Sequence, residues 1–410
     1  MHVLYFHQHF STPDGKTATR SYEMARALIE RGHRVTVVCG SYGGAETGLS
    51  GAPARGIRKG MVNGITVIEI RLPYSNYDNF IRRTVTFIRF ALRSVGVALR
   101  TDYDLLFATS CPLTAGIPGI VMKLIKPRHP FVFEVRDLWP ELPREMGVIT
   151  NPLILGLMSL LEWVSYHAAD HCIGLAPGIV QGIERRGIPL ARIAMIPNGC
   201  DIELFRPVSS KLLLLPGIER DDFSAVFTGT HGIANGLDAV LDAAGILLAR
   251  GRKDITLIFI GDGKLKPRLK ERALKEDLIN CLFFDPVPKT NLAGLIAHMD
   301  VGLMILSNCP AFYEGTSPNK FFDYLAAGLP VLNNYPGWLA ELIHDNNCGL
   351  AIMPDNPELF AEALIYLADN PLRCLEMGDN SRRLAVSQFD RKDLSNQFVD
   401  FIELNYEKSN

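Results

Sequence analysis

Paired cysteines are missing from this sequence. Its eight cysteines (Cys39, Cys111, Cys172, Cys200, Cys281, Cys309, Cys348 and Cys374) are widely spread, and no CxxC occurs. In a chain of 410 residues that scatter excludes a disulfide-stapled scaffold and reads as reduced, mostly buried thiols of a cytosolic protein. The opening MHVLYFHQHF has neither a basic n-region nor a long apolar h-region, so no secretory leader is expected. Long apolar runs are scarce as well. The longest uncharged stretch, Leu105 to Met122, is long enough to raise a membrane span, but Cys111-Pro112 and Pro118 break it, and it fits a strand, a loop and a helix. No GxGxxG follows the first apolar run, which argues against a nicotinamide dehydrogenase. Short-period repeats, low-complexity tracts and basic-aromatic nucleic-acid motifs are absent too. His167 and His171 stand four apart, yet no HExxH pattern or third ligand accompanies them, and a helix end is expected there instead of a metal pair.

What is present is the balance of a globular chain with real cores: 48% hydrophobic and 21% charged residues. The length suggests two or three domains. Net charge is only -2, but it is unevenly spread. Residues 1–200 carry 22 Lys+Arg against 15 Asp+Glu, and the remainder carry 20 against 29. A basic first half suits an anionic surface or substrate, unless the asymmetry is ordinary surface scatter.

Short apolar runs alternate with helical patterns. VLYFHQH, VTVVCG, DLLFATS, PFVFEVRD and HCIGLA read as buried strands, and SYEMARALIERGH as a helix closed at Gly32. The pattern restarts with SAVFTG, the helix LDAVLDAAGILLARG, ITLIFIGDG, the helix LKPRLKERALKE, NCLFFDPVP, VGLMIL, the helix NKFFDYLAAG and PVLNN. This predicts an α/β protein with two Rossmann-like, doubly wound domains facing across a cleft. Residues 1–200 form the first, 201–390 the second, and 391–410 a terminal helix that packs back on the first. Ile196 to Lys211 is the expected connector, and Leu394 to Lys408 the amphipathic helical part of the terminus.

The second half holds the sharpest motifs. After SAVFTG come Gly229, Thr230, His231, Gly232, Asn235 and Gly236, then a helix. Glycines between a strand and a helix let the backbone approach a phosphate and aim N–H groups at it, although a plain strand-helix turn has the same composition. Gly261, Asp262 and Gly263 form a tight turn after another strand. Asp285-Pro286-Val287-Pro288 precedes a further helical run. In Glu314-Gly315-Thr316-Ser317-Pro318-Asn319-Lys320-Phe321-Phe322-Asp323, Ser317 reads as an N-cap with Pro318 at the first helical position, placing Asn319 and Lys320 in the first turn. An anion fits there, and Asp323, one turn on, suits ribose hydroxyls. The plainer alternative is a capped helix with a surface ion pair.

These segments, in this order, resemble the large family of retaining GT-B glycosyltransferases (family 4-like) of bacterial polysaccharide and glycolipid assembly. Phe10 to Gly15 and ALIERGHRVTVV look like its N-terminal loop and helix, and IPNGCDIELFRP is similar to its hinge signature. GTHGIANGLDAVLDAA, FIGDGKLKPRL, VPKTNLAGLIAHMDVGLMIL and FDYLAAGLPVL look like its donor-domain motifs. Three departures stand out. Of the two glutamates usual in the last motif, the second position is Asp323, while the first falls on Gly315, with Glu314 one residue early. His231 and Asn235 replace the Arg and Lys of the glycine loop, and Arg136-Asp137 replaces a His-Asp pair. With SPNK and EVRDLWPE, these changes resemble a branch making N-acetyl amino-sugar linkages, similar to L-fucosamine transferases.

The resemblance implies a metal-independent hexosyltransferase with no cofactor, moving a sugar from a UDP-sugar to a polyprenyl-linked acceptor with retention. It implies donor contacts from Gly15, Arg136, Gly229, Thr230, His231, Gly232, Asn235, Gly236, Gly261, Asp262, Gly263, Val287, Pro288, Ser317, Pro318, Asn319, Lys320 and Asp323. Diphosphate charge would rest on Lys320, backbone amides and Arg136. Asp137 would orient sugar or acceptor, unless it is only a helix cap, and Glu314 would meet the donor sugar. Asp102-Tyr103-Asp104 mimics the metal-binding DxD of the other glycosyltransferase fold, but a turn before a strand explains it. A nucleotide-sugar epimerase of the same architecture and a degenerate sugar-nucleotide-binding partner remain open.

Residues 79–100, NFIRRTVTFIRFALRSVGVALR, have five arginines and no acid. At about 100° per residue Arg82, Arg89, Arg93 and Arg100 share a narrow stripe beside Arg83, while Phe80, Phe87, Phe90, Leu92 and Val95 spread over the rest. Such a helix suits an anionic bilayer or, equally, a buried helix with one solvated face. Taken with the acceptor that the resemblance implies, it predicts a cytoplasmic protein, peripheral on the inner face of the cytoplasmic membrane.

Overall fold

Runs of β-branched and aromatic residues too apolar to face water on either side build the central strands of two sheets, buried along their whole length. The computed structural model describes residues 1–43, 45–75, 78–207, 215–217 and 222–407. Its chain divides into two units. One holds Met1–Asn198, Gly315–Ser317 and the stretch from Lys392 onward, and the other holds Gly199–Glu314 and Pro318–Arg391. Residues 208–211 of the expected connector lie outside the described residues, as does Lys408.

The first unit runs β1 (His2–Phe6), α1 (Arg20–Glu30), β2 (Arg34–Tyr42), β3 (Ile57–Val62), β4 (Ile65–Tyr74), α2 (Phe80–Arg100), β5 (Leu105–Thr109), α3 (Ile117–Ile125), β6 (Phe131–Val135), α4 (Glu141–Glu145), α5 (Pro152–Ala168), β7 (His171–Gly174), α6 (Pro177–Arg185) and β8 (Ile193–Met195). The strand order is β3-β4-β2-β1-β5-β6-β7-β8, parallel except for β3 against β4. That hairpin is not among the strands expected above. Its signal is Asn63-Gly64 between two alternating runs, and both residues take positive φ, 48° and 83°. Leu105 to Met122 supplies β5, a 3₁₀ turn (Leu113–Gly116) and most of α3, and no described helix is long and apolar enough to cross a membrane.

The second unit runs β9 (Phe223–Thr228), α7 (Asp238–Ala249), β10 (Ile255–Ile260), α8 (Lys266–Lys275), β11 (Cys281–Phe284), α9 (Lys289–Ile296), β12 (Val301–Met304), α10 (Pro310–Gly315), α11 (Asn319–Ala326), β13 (Val331–Asn333), α12 (Trp338–Asp345), β14 (Gly349–Ala351), α13 (Pro357–Asp369) and α14 (Pro371–Gln388). Its order is β11-β10-β9-β12-β13-β14, all parallel. The chain order reverses between β9 and β12, and ligands of open α/β sheets bind outside the carboxyl ends of strands at such a switch point. Ala225, Phe227, Leu257, Phe259 and Leu303 form the core against Val240, Leu241 and Ala244 of α7 and Phe360 and Leu364 of α13.

The last helix, α15 (Arg391–Glu407), gives Leu394, Phe398, Val399 and Ile402 to the core of the first unit, beside Val3, Tyr5 and Phe107. Phe398 meets Phe107 edge-on at 5.1 Å. Arg31 reaches Asp400 at 2.9 Å and Glu403 at 2.6 Å, fixing the helix against the end of α1.

An ion pair ties this unit together from inside. Arg20 donates from Nε (3.0 Å) and Nη2 (2.8 Å) to Glu134, and it also reaches the carbonyls of Ile196 and Pro197 at 2.9 and 2.7 Å. Thr109 donates to the other carboxylate oxygen at 2.7 Å. A buried pair is tolerable only with its hydrogen bonds filled in this way.

Candidate functional site

In the second unit the loops after β9 and β10 meet with no side chain between them. Gly229, Gly261 and Gly263 have φ of 129°, 153° and 159°, all in the region that favours glycine. A Cβ on Gly261 would stand 1.8 Å from the Gly229 carbonyl oxygen, and one on Gly263 would stand 2.6 Å from that of His231. The Gly229 N–H donates to Ile260 and the His231 N–H to Asp262, at 3.0 and 2.9 Å. Gly232 opens a 3₁₀ turn, Ile233–Asn235, and Gly236 closes it in a left-handed conformation. Gly229, Thr230 and Asp262 are exposed at the mouth of this loop pair.

His231 points the other way. Its ring is fully buried among Phe227, Phe259 and Phe283, with centroids 5.9–6.3 Å apart, and neither ring nitrogen has a partner among the described residues. Burial, then Lys266 and Lys320, lower its pKa to about 4. The ring is a neutral packing element, and only its backbone belongs to the loop.

Lys320 supplies the charge. Its Nζ donates to Asn235 Oδ1 at 2.9 Å and lies 3.8 Å from the centre of the Phe227 ring. A Cβ on Gly229 would be 3.5 Å from it, so the ammonium ends at the glycine turn. No carboxylate pairs with it among the described residues, and burial lowers its pKa to about 7. Asn235, held through Nδ2 by the Thr230 carbonyl at 2.7 Å, aims the lysine. Helix α11 is itself fixed by Tyr324, whose hydroxyl accepts from Thr228 N–H at 2.9 Å.

The expected cap is corrected. Pro318, with φ -76° and ψ 128°, takes the N-cap position of α11, and no side chain caps it. The Ser317 hydroxyl accepts instead from Asn198 N–H at 2.9 Å, and its carbonyl accepts from Asn198 Nδ2 at 2.6 Å. The hydroxyl is spent on the hinge-signature asparagine, so the helix starts at Asn319, with Lys320 still in its first turn.

Asp323, one turn on, is only 7% exposed. Its Oδ1 has no partner among the described residues, and burial raises its pKa despite Lys289 and Arg391 nearby. A buried carboxylate oxygen of this kind can accept from hydroxyl donors. Val287 and Pro288 sit at the start of α9, with Pro288 as N-cap. Glu314 is exposed at the end of α10, and partial burial with Glu341 raises its pKa. Sequence reading missed Lys266, whose Nζ joins the Gly261 carbonyl, the Phe284 carbonyl and Asp285, each at 2.8 Å. It pins the glycine turn to the end of β11.

Gly15, Arg136 and Asp137 lie in the first unit. Gly15 is buried in the loop after β1, its N–H on the Thr12 carbonyl at 3.1 Å. Arg136 Nη1 stands 3.4 Å from His7 Nε2. Asp137 accepts from the Cys111 thiol at 2.7 Å and caps no helix, since α4 begins after Pro140 without a side-chain cap. The Asp102-Tyr103-Asp104 segment ties off β1: Asp104 accepts from His2 N–H at 2.5 Å. His167 ends α5 while His171 opens β7, so they share no helix.

Two parallel α/β units of this kind, one with a glycine-walled loop pair under a lysine, have close counterparts in fold. Sucrose-phosphate synthase from Thermosynechococcus elongatus superposes with TM-score 0.76 at 15% identity, covering 99% of both chains. Anabaena HepE, solved with UDP and glucose, gives TM-score 0.73 at 17% identity over 98% of this chain and all of that one. The chain thus has the two-domain GT-B glycosyltransferase fold. Residues 17–199 match the family described as glycosyl transferase 4-like domain, and residues 222–370 match glycosyl transferases group 1. The chain therefore pairs a glycosyl transferase 4-like domain with a group 1 glycosyl transferase domain. Among curated relatives, a D-inositol 3-phosphate glycosyltransferase of Paenarthrobacter aurescens is 29% identical over 203 residues, 48% of each chain. A probable glycosyltransferase, WbjE, of Pseudomonas aeruginosa is 24% identical over 60% of this chain and 61% of that one. The match spans about half to three fifths of these relatives' length.

Proposed function

We propose that the protein is a retaining glycosyltransferase that moves a sugar, an N-acetylated amino sugar by the branch it resembles, from a UDP-sugar to a lipid-linked acceptor in surface glycan assembly. The observation that carries this reading is the pairing of an ammonium without a carboxylate at a backbone-only turn with an unpartnered buried carboxylate oxygen one helical turn further on. A diphosphate on Lys320 and the Gly229 loop, with a ribose on Asp323, satisfies both. The named complex of HepE with UDP and glucose supports a nucleotide sugar as the ligand class.

Chemically, the acceptor oxygen forms a bond to the anomeric carbon as the bond to the diphosphate breaks on the same face. The acceptor's proton passes to the departing diphosphate oxygen. Lys320 and the loop amides stabilise the charge growing there, and Asp137 and Glu314 orient the sugars. No metal is part of this scheme.

Membrane association rests on α2. Arg82, Arg89, Arg93 and Arg100 are all exposed, and so are Ile81, Val85, Ile88, Leu92 and Leu99 between them. Thr86, Phe90, Ala91, Ser94 and Ala98 are buried, and Phe87 is half-buried against Tyr74 and His9. An exposed face that is basic and apolar at once, over a buried face holding Thr and Ser, fits an anionic lipid surface better than water. Leu153, Leu157, Leu160 and Trp163 of α5 are exposed as well.

The test is a panel of labelled UDP-sugars with purified protein, with and without lipid extract from the source cells. Label entering the lipid phase only with extract is the expected result. Donor conversion without extract would make the protein an epimerase, and UDP binding with no turnover in any arm would make it a degenerate binding partner.

A further inference from the structure

The carboxyl end of the first sheet holds a polar corner from which the donor contacts implied above take only Arg136. β1 stops at Phe6, and the next residues are tied to β2: His7 N–H donates to the Val38 carbonyl at 3.1 Å, and Gly40 N–H to that of Gln8 at 2.9 Å. The His9 ring then sits among aromatic side chains. Its centroid lies 5.1 Å from Tyr42, 4.9 Å from Tyr74 and 6.3 Å from Phe87. Arg83, on α2, lies 5.7 Å from the Tyr74 ring centre. On the other side, Arg136 reaches His7.

Arg136 acts electrostatically on the Glu134 carboxylate, which is itself taken by Arg20. Arg82 is paired with Asp78 at 3.2 Å, but neither Arg83 nor Arg136 has a carboxylate partner among the described residues, and Asp137 is bonded to Cys111 instead. Burial, then Arg136, then Arg83 lower the pKa of His9 to about 4. Burial, Arg136 and His9 hold His7 well below its usual value. Both imidazoles are therefore neutral at pH 7, each with one N–H to give. Among the described residues His7 Nδ1, Gln8 Oε1 and His9 Nδ1 are buried without partners, and His7 and Gln8 are 3% and 2% exposed. Buried polar groups in that state are free to bond to a ligand.

We propose that this corner is an acceptor-side subsite for a phosphate oxyanion, bound by the guanidiniums of Arg83 and Arg136 and the imidazole N–H groups of His7 and His9. Donors arriving from several directions suit a tetrahedral oxyanion, whereas one guanidinium fork would satisfy a planar carboxylate. Tyr42 and Tyr74 form a wall for the group bearing the phosphate, and Gln8 Oε1 accepts from one of its hydroxyls. The assignment rests on the transferase reading for the word acceptor, but the anion site stands or falls by itself. It also moves Arg136 away from the donor diphosphate.

The experiment is calorimetry of the full-length protein with inorganic pyrophosphate, in the presence of saturating UDP and, separately, with glucuronate. Pyrophosphate should bind alongside UDP, and Arg83→Gln with Arg136→Gln should weaken it at least tenfold while UDP affinity and melting temperature stay unchanged. Arg83→Lys, keeping the charge without the fork, should fall between. Pyrophosphate binding indifferent to both substitutions, or lost in one-for-one competition with UDP, overturns the proposal. Glucuronate binding in place of pyrophosphate overturns the phosphate in favour of an acidic sugar, and weakened UDP binding in the double variant returns Arg136 to the donor. If UDP itself fails to bind while pyrophosphate binds through the two arginines, the donor reading fails and this one survives.

Discussion

The ammonium of Lys320 rests 2.9 Å from the amide oxygen of Asn235, and that neutral contact, with the face of Phe227, replaces the carboxylate a partly buried lysine ordinarily finds. The arrangement holds a cation ready for an anionic ligand at a cost to the empty protein. Lys320→Met should weaken UDP binding by about tenfold to a hundredfold, the loss of a charge-assisted contact of roughly 1.5–3 kcal/mol. The same change should leave the unliganded protein no less stable at pH 7. Titration calorimetry and thermal melts on one preparation check both.

Proton uptake follows from the same lysine. Its folded pKa, about 7, lies below its ordinary 10.5. Between these values the unfolded chain carries a proton that the folded chain lacks, so this residue makes stability rise with pH across that window. A bound diphosphate favours the charged form and raises the pKa, so at pH 8 UDP binding should take up close to one proton. Calorimetry in buffers of different ionisation heat measures this, and Lys320→Met should abolish it. Uptake unchanged in the variant would assign the proton elsewhere.

Asp323→Ala removes the acceptor expected for ribose hydroxyls. UDP affinity should drop by about 1.5–3 kcal/mol, while uridine-free pyrophosphate binding is unaffected. Unchanged UDP affinity in the variant would sink the assignment.

Much of this was legible in sequence for a physical reason: strands buried on both faces must be apolar throughout, and glycines forced into positive φ cannot be hidden. β1, β2, β9 and β10 with the turns at Gly229 and Gly261 could therefore be placed from residue type alone. Side-chain destinations could not. Ser317 has the composition of a cap, yet its hydroxyl serves Asn198, more than a hundred residues away in the chain. His231 stands where the family resemblance suggests a phosphate cation, yet phenylalanines from three strands enclose it. Arg20 and Glu134 carry no mark of their pairing, since it depends on the first residue of α1 reaching a strand 114 residues further along the chain.

For α2, charge removal and apolar-to-polar substitution separate the two parts of membrane attachment. Replacing Arg82, Arg89, Arg93 and Arg100 by Gln should cost about 1 kcal/mol each in binding to anionic vesicles, and added salt should mimic the effect. Ile81→Ser with Leu92→Ser should weaken binding at any salt concentration. Vesicle co-sedimentation that ignores both sets of changes would leave α2 as an ordinary surface helix.

The pair inside the first unit makes the strongest stability prediction. Arg20 and Glu134 are 3% and 0% exposed, and Arg20 still has to satisfy two carbonyls when its carboxylate is gone. Glu134→Gln keeps the shape and some hydrogen bonding but leaves the guanidinium buried and unpaired, so the cost should be about 3–5 kcal/mol. The pH dependence has a definite sign. Although burial alone would raise the pKa of Glu134, Arg20 outweighs it and the net shift is downward. The folded chain thus holds this carboxylate ionised at pH values where the unfolded chain protonates it, and stability present above the ordinary glutamate range is lost as pH falls through the folded pKa. Denaturant melts of wild type and Glu134→Gln between pH 7 and pH 3 should converge towards the acid end, because protonation does to the wild type what the substitution does at neutral pH. Parallel curves would mean that another carboxylate governs the acid transition.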